Sequence, residues 1–203
     1  MTRGRFVVFE GGDGSGKSTQ AARLAAWLGD RGLTVCETFE PGAGAIGAVI
    51  RELLLHGTDA VTPMAEALLM AADRAQHVAT EIEPALARGD WVVCDRYVPS
   101  SLVYQGVVRG LGVEQVAALS DVATQGLTPD IVLVLDVSDG IAAARQGSEP
   151  DRLEREGDGF HAAVRRAYRD LAPQYGWIVV DANGTVDEVA GRVRDTLRPV
   201  LAG

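Results

Sequence analysis

The stretch Arg5-Phe6-Val7-Val8-Phe9-Glu10, followed by Gly11-Gly12-Asp13-Gly14-Ser15-Gly16-Lys17-Ser18-Thr19, decides the fold. Its first part is a short apolar run that reads as a buried strand, and its second satisfies the pattern G-x-x-x-x-G-K-[ST] in full. From Lys17 to about Asp30 the apolar residues return at helical spacing. Strand, glycine-rich loop and helix is the context in which the pattern has a mechanism. Glycines let the backbone wrap closely enough for successive N–H groups to point at phosphate oxygens, with the positive end of the helix behind them. Gly11, Gly12, Asp13, Gly14, Ser15, Gly16, Lys17, Ser18 and Thr19 are therefore expected to cradle the phosphates of ATP. Lys17 would reach the β and γ phosphates, and the Ser18 hydroxyl would ligate Mg²⁺.

One count supports that reading. Of the 19 basic residues 18 are arginines, and Lys17 is the only lysine. Where the background prefers guanidinium, the exception points to a position that needs a compact point charge.

Length and composition set the frame. The 203 residues, 47% of them hydrophobic, suit one α/β domain spanning 1–203. A net charge of −9 would repel nucleic acid and anionic membrane surfaces, so neither is an expected partner, and any polyanionic ligand must meet a local basic cluster. The apolar run Phe6–Phe9 is too short for a signal-peptide core or a membrane span, so a soluble cytoplasmic protein is expected. Cys36 and Cys94 each sit in an apolar run and read as small core residues.

Further along, strands are expected at 33–39, 91–95, 131–136 and 177–181. Helical patterns cover 49–56, 62 to about 83, 100–109, 113–125, 141–145, 160–171 and 185–197. Thr62 would cap the long helix with Pro63 at its first position, and Pro84 must kink or restart it. Thr185 and Glu188 match a capping box. Strands alternating with helices argue for one doubly wound parallel sheet with right-handed crossovers.

The class of nucleotide protein follows by elimination. A small GTPase reads guanine with Asn-Lys-x-Asp, which a chain with no second lysine cannot contain, and the Leu-Ser-Gly-Gly-Gln signature of a transport ATPase is absent. A small phosphotransferase remains, and it needs a second anion site facing the cradle. Asp95-Arg96-Tyr97 ends the third strand, where ligands bind in open α/β sheets. Asp95 would hold Mg²⁺ directly or through water, unless it is a helix cap, and Arg96 would grip the acceptor phosphate, unless it is a surface ion pair. On the long helix Met70, Arg74 and His77 share a face. Arg74 suits base carbonyls, Met70 suits a base or the core, and His77 reads as structural. Arg145, Arg152 and Arg155 punctuate a polar stretch at about 146–159, readable as an arginine-bearing flap or as a solvated loop.

These motifs together resemble the bacterial thymidylate kinase family. Phe9-Glu10-Gly11 with Gly14-Ser15-Gly16-Lys17-Ser18-Thr19, Glu40-Pro41-Gly42, Asp73-Arg74-Ala75-Gln76-His77, Asp95-Arg96-Tyr97, Tyr104-Gln105-Gly106 and Asp151-Arg152-Leu153-Glu154 each look like one of its signatures. The resemblance implies a three-layer P-loop nucleoside monophosphate kinase fold with a five-stranded parallel sheet and a short lid. It also implies Mg²⁺-dependent phosphorylation of dTMP by ATP in a homodimer. Carried over by position, Asp13 would approach the acceptor sugar and phosphate, Arg96 would bind the dTMP phosphate, and Arg74 would hydrogen-bond thymine. Ser101 and Gln105 would line the base pocket, and Tyr104 would pack beneath the deoxyribose. Arg145 and Arg152 would be the catalytic lid arginines, with Arg155 a third. Two positions depart from the family: Phe39 stands where an arginine is usual, and Met70 where an aromatic residue stacks on thymine. They leave open a kinase of the same fold for another nucleoside monophosphate, and a catalytically silent nucleotide-binding protein is the third reading.

Overall fold

The computed structural model describes residues 3–57, 60–145, 152–153 and 155–201. Strands β1 (Phe6–Glu10), β2 (Val35–Phe39), β3 (Trp91–Asp95), β4 (Ile131–Asp136) and β5 (Ile178–Asp181) form one parallel sheet in the order β2-β3-β1-β4-β5. Strand β1 is central: Phe9 lies opposite Asp95 on one side and Leu133 on the other. The loops leaving β1 and β3 therefore start from adjacent points at the same end of the sheet, the end where open α/β sheets bind ligands.

Period-2 alternation divides the sheet residues between two cores. Phe6, Val8, Val92, Cys94, Val132 and Val134 face a layer that includes Val78, Ile82, Leu86, Tyr97, Leu102, Val164 and Tyr168. Val7, Phe9, Val93, Leu133 and Leu135 face Ala21, Leu24 and Leu28 of α1 (Lys17–Gly29) and Val189, Val193 and Leu197 near the chain's end. Each large apolar side chain so buried contributes roughly 1.5–3 kcal/mol. Helices on both faces of a parallel sheet make the three-layer P-loop kinase architecture that the sequence predicts.

Several helix boundaries differ from expectation, while the long helix restarts at Pro84 as expected. The stretch after Pro41 becomes helical early, as α2 (Gly44–Arg51), and a widened turn at Glu52–His56 extends it. The long helix is divided into α3 (Pro63–His77), a widened turn at Val78–Ile82, and α4 (Glu83–Arg88). Pro84 lacks an N–H and its ring crowds the carbonyl four residues back, so the wider turn absorbs the mismatch. Thr62 occupies the cap position of α3 but makes no side-chain cap bond. Helix α5 (Val98–Ser101) starts before Ser100 and runs on as a widened turn at Leu102–Val108, ahead of α6 (Val113–Thr124).

Helix α7 spans Asp139–Arg145, and α8 (Asp158–Tyr175) continues beyond Leu171 with Pro173 inside it. Helix α9 (Val186–Leu201) starts on the expected capping box: Thr185 N donates to Glu188 Oε2 (2.7 Å) and Glu188 N to Thr185 Oγ1 (3.3 Å). Of the expected flap, residues 146–151 and 154, with Gly147, Pro150, Asp151 and Glu154, lie outside the described residues. Among the described residues no helix is long and apolar enough to cross a membrane.

Candidate active site

The loop between β1 and α1 has the shape the pattern requires. Gly11, Gly14 and Gly16 adopt φ of 136°, 75° and 89°, which L side chains rarely tolerate. A Cβ on Gly14 would also meet the Ala142 carbonyl oxygen at 2.3 Å, so this turn has room for glycine alone. Gly16 caps α1 without a side-chain bond, and no acidic residue stands in the helix's first turn. The leading N–H groups of α1 are thus left to an anionic ligand. Lys17 Nζ donates to the carbonyls of Gly11 (3.1 Å) and Gly12 (2.9 Å), poised over the loop. Burial and the Arg96 cation push its pKa below the ordinary value against the pull of Asp13, Asp95 and Glu10.

At the end of β3, Ser18 Oγ donates to Asp95 Oδ2 at 2.5 Å, while the buried Asp95 Oδ1 has no hydrogen-bond partner among the described residues. Two hard oxygen ligands beside a phosphate cradle, one carboxylate oxygen unengaged, suit a cation that draws its other ligands from water and phosphate. No group of three or more His, Cys, Asp or Glu that could hold a metal occurs among the described residues, so a closed protein cage is not built here.

Arg96 has φ of 72°, a left-handed conformation held by a network that sequence reading did not reveal. Glu10 Oε1 accepts from the N–H groups of Tyr97 (2.8 Å) and Ser100 (3.2 Å), and Oε2 from Ser100 Oγ (2.6 Å) and Tyr168 Oη (2.7 Å). Burial raises the Glu10 pKa, opposed by these hydrogen bonds and by Arg96. The turn so fixed sends the Arg96 guanidinium onto Asp13, with Tyr104 Oη at 3.5 Å and its ring centroid at 5.4 Å. Burial disfavours a charge on Asp13, but Arg96, Lys17 and His161 outweigh it and hold the carboxyl below its ordinary pKa. His161 of α8, assigned no role from sequence, comes within 3.9 Å of Asp13 Oδ2.

On the α3 side Arg74 is seated by three bonds: Nε to Glu40 Oε2 (2.8 Å), Nη1 to Ser101 Oγ (3.1 Å) and Nη2 to the Tyr97 carbonyl (3.0 Å). A guanidinium carries five N–H groups, so donors remain for a ligand. His77 is structural as expected, its ring nitrogens meeting Glu40 Oε1 (2.9 Å) and Thr38 Oγ1 (2.8 Å) in a buried position. Asp73 accepts from Gly42 N (3.0 Å), and burial together with Glu40 pushes its pKa up to about 6. Gln105 Nε2 donates to Glu66 Oε1 at 2.9 Å.

A cleft of about 890 Å³ unites most of the expected residues. Its walls include Asp13 to Thr19, Phe39, Met70, Arg74, Asp95, Arg96, Ser101, Tyr104, Gln105 and Arg145. Arg51 also lines it, with its guanidinium carbon 5.8 Å from the centre of the half-exposed Phe39 ring and Nη1 donating to the Pro41 carbonyl (2.7 Å). Arg51 of α2 thus brings a guanidinium beside Phe39, the position where the family pattern has an arginine. The available signal was an arginine one helix beyond the Glu-Pro-Gly loop.

The two lid arginines separate. Arg145 lines the cleft beside Val186 and Val189, donating to the carbonyls of Ala182 (3.3 Å) and Gly184 (2.9 Å). Arg152 does not line it: Nε donates to the Leu54 carbonyl (2.6 Å) and Nη2 to Glu66 Oε2 (2.6 Å). The structure thus places Arg152 on the α2–α3 wall and not at the phosphate loop, because a buried carboxylate holds it there. Arg155 is exposed.

Comparison with known proteins identifies the family of the sequence. The family profile described as Thymidylate kinase matches residues 9–193. A curated thymidylate kinase of Leifsonia xyli subsp. xyli is 50% identical over 195 residues, covering 94% of this chain and 93% of that one. Those of Synechococcus sp. (strain RCC307) and Bifidobacterium longum (strain NCC 2705) are 46% and 45% identical, each covering at least 96% of both chains.

Proposed function

The chain belongs to the thymidylate kinase family of nucleoside monophosphate kinases, and from that premise we propose that it transfers the γ-phosphoryl group of ATP to dTMP, in line and without a covalent enzyme intermediate. The observation that carries the reading is a cleft lined by the phosphate loop and by two further groups of side chains. One group, the acceptor recess of this proposal, is Met70, Arg74, Ser101, Tyr104 and Gln105, and the other is Gln20, Arg145, Val186 and Val189. The first suits dTMP, with Arg74 facing thymine. The second suits the nucleoside of ATP.

The residues act mainly by position and charge. The loop amides and Lys17 hold the donor phosphates, while Arg96 and Arg51 receive the acceptor phosphate. An ionised Asp13 accepts hydrogen bonds but cannot donate them. It therefore suits a sugar hydroxyl and keeps the acceptor phosphate on the Arg96 side. The attacking phosphate oxygen is already anionic and needs no general base, so alignment supplies most of the acceleration. Ser18 and Asp95 would hold Mg²⁺, which supplies neutralisation of charge on the transferring group.

A coupled ATP-consumption assay across dTMP, dUMP, dGMP, dCMP, UMP, CMP and AMP tests this reading. Preference for dTMP is expected, another preferred monophosphate would reassign the acceptor, and ATP binding with no product would make the chain a silent nucleotide binder. A homodimer is the proposed assembly, supported by exposed Ile46, Val49 and Leu53 along α2 and the turn after it and by Leu68 on α3. Light scattering on a sizing column checks it. Two unpaired cysteines fit a reducing cytoplasm.

A further inference from the structure

Glu66 is a carboxylate 1% exposed, on the first turn of α3, and the phosphoryl-transfer scheme above gives it no task. Its Oε1 accepts from Gln105 Nε2 (2.9 Å) and Arg109 Nε (3.4 Å), and its Oε2 from Arg152 Nη2 (2.6 Å). A buried charge is tolerated when it is paired and hydrogen-bonded, and these three donors meet that need. They come from very different places. Gln105 belongs to the acceptor recess, Arg109 follows the widened turn after α5, and Arg152 belongs to the segment leading into α8.

Two further contacts run in the same direction. Arg152 N donates to the Leu55 carbonyl (3.1 Å), and Leu153 packs on the cluster of Ile50, Leu54, Leu55 and Met70. Arg109 pairs with Glu156 (2.8 Å) and lies 5.0 Å from the centre of the Phe160 ring. Leu55, Met70 and Leu153 all line the cleft and belong to one apolar cluster.

Resting on the dTMP reading for its substrate, we infer that Glu66 is a positioning residue that sets acceptor specificity. One oxygen holds Gln105 in the base recess, and the other latches Arg152 so that Leu153 closes the recess with an apolar wall. Arg152 is then a latch and not a cation on the transferring phosphoryl group. The apolar wall is where a methyl on the base gains burial, an increment worth 10-fold or somewhat more in a hydrophobic pocket.

The test uses Glu66→Gln, which keeps shape and one acceptor oxygen but loses the charge, with Arg152→Gln and the double variant. Each single variant should raise KM for dTMP about tenfold or more, the scale of one charge-assisted bond, with kcat within about threefold. Each should also shrink the kcat/KM preference for dTMP over dUMP, and the double variant should be no worse than the poorer single one. Loss of kcat by about a hundredfold in Arg152→Gln at unchanged KM for dTMP would overturn the inference, as would multiplying effects in the double variant. Arg152→Gln alters a partly exposed side chain and carries the same prediction if Glu66→Gln folds poorly. Hydrogen exchange at the Arg152 amide, which needs no substrate, should lose protection in Glu66→Gln. Unchanged protection would refute the latch, whereas a wild-type chain inactive on dTMP would refute the acceptor reading instead.

Discussion

Arg96 combines the guanidinium proposed to receive the acceptor phosphate with an unfavourable backbone, and the two are separable by mutation. Its φ of 72° costs an L-residue roughly 1–2 kcal/mol, a cost glycine escapes. Glycine gives back about 0.5–1 kcal/mol through its freer unfolded chain, so Arg96→Gly should be more stable than Arg96→Ala by about 1 kcal/mol. In a chain of 203 residues that is about 2–4 °C in Tm. Both variants lose the guanidinium and leave Asp13 buried without its closest cation, so those losses cancel in the comparison. Activity should not distinguish the pair: without the forked contact to the acceptor phosphate, kcat/KM for dTMP should fall about 10²–10³-fold in each. Differential scanning calorimetry and the coupled assay give the two readings. If alanine matched glycine in stability, the left-handed turn would be costless. Glycine activity within tenfold of wild type would remove Arg96 from the acceptor site.

Three other outcomes are expected. Lys17→Ala should lose several orders of magnitude in turnover while keeping its circular dichroism spectrum, and near-normal turnover would refute the cradle. Asp73 titrates at about 6 in the fold, above the unfolded value, so the folded state binds more protons in between and stability falls as pH rises from about 4 to 6. Asp73→Asn should therefore gain on wild type by up to about 3 kcal/mol across that window in urea denaturation, and a pH-independent difference would count against it. Burial and the neighbouring Glu81 push the Cys36 thiol up to about 11, and burial pushes Cys94 up as well. Both should react slowly with a thiol reagent at pH 8, and rapid stoichiometric modification would contradict the raised pKa of Cys36 and the burial of Cys94.

The sheet was legible because its strands are short apolar runs separated by turn chemistry, and the cradle because its spacing is a local pattern. Residues whose partners lie near in sequence or on one helix face, such as Thr185 with Glu188 or Met70 with Arg74, could be read the same way. What escaped depends on distant pairing. Glu10 meets Tyr168 across 158 residues, and Glu66 meets Arg152 across 86. Nothing in either neighbourhood signals such a partner. Arg152 shows the consequence, since its place in the flap suggests a catalytic cation and only the fold shows that it pairs with the buried Glu66. The restart at Pro84 was readable from its missing N–H, whereas α8 runs on through Pro173, because packing decides whether a helix stops at a proline.

The solitary lysine makes the molecule its own reporter. Grown with isotope-labelled lysine, the protein would show one ammonium resonance in its NMR spectrum, from the group now resting on the Gly11 and Gly12 carbonyls. Each nucleotide added would move that lone signal, so the order in which donor and acceptor are bound could be followed without a probe being attached anywhere.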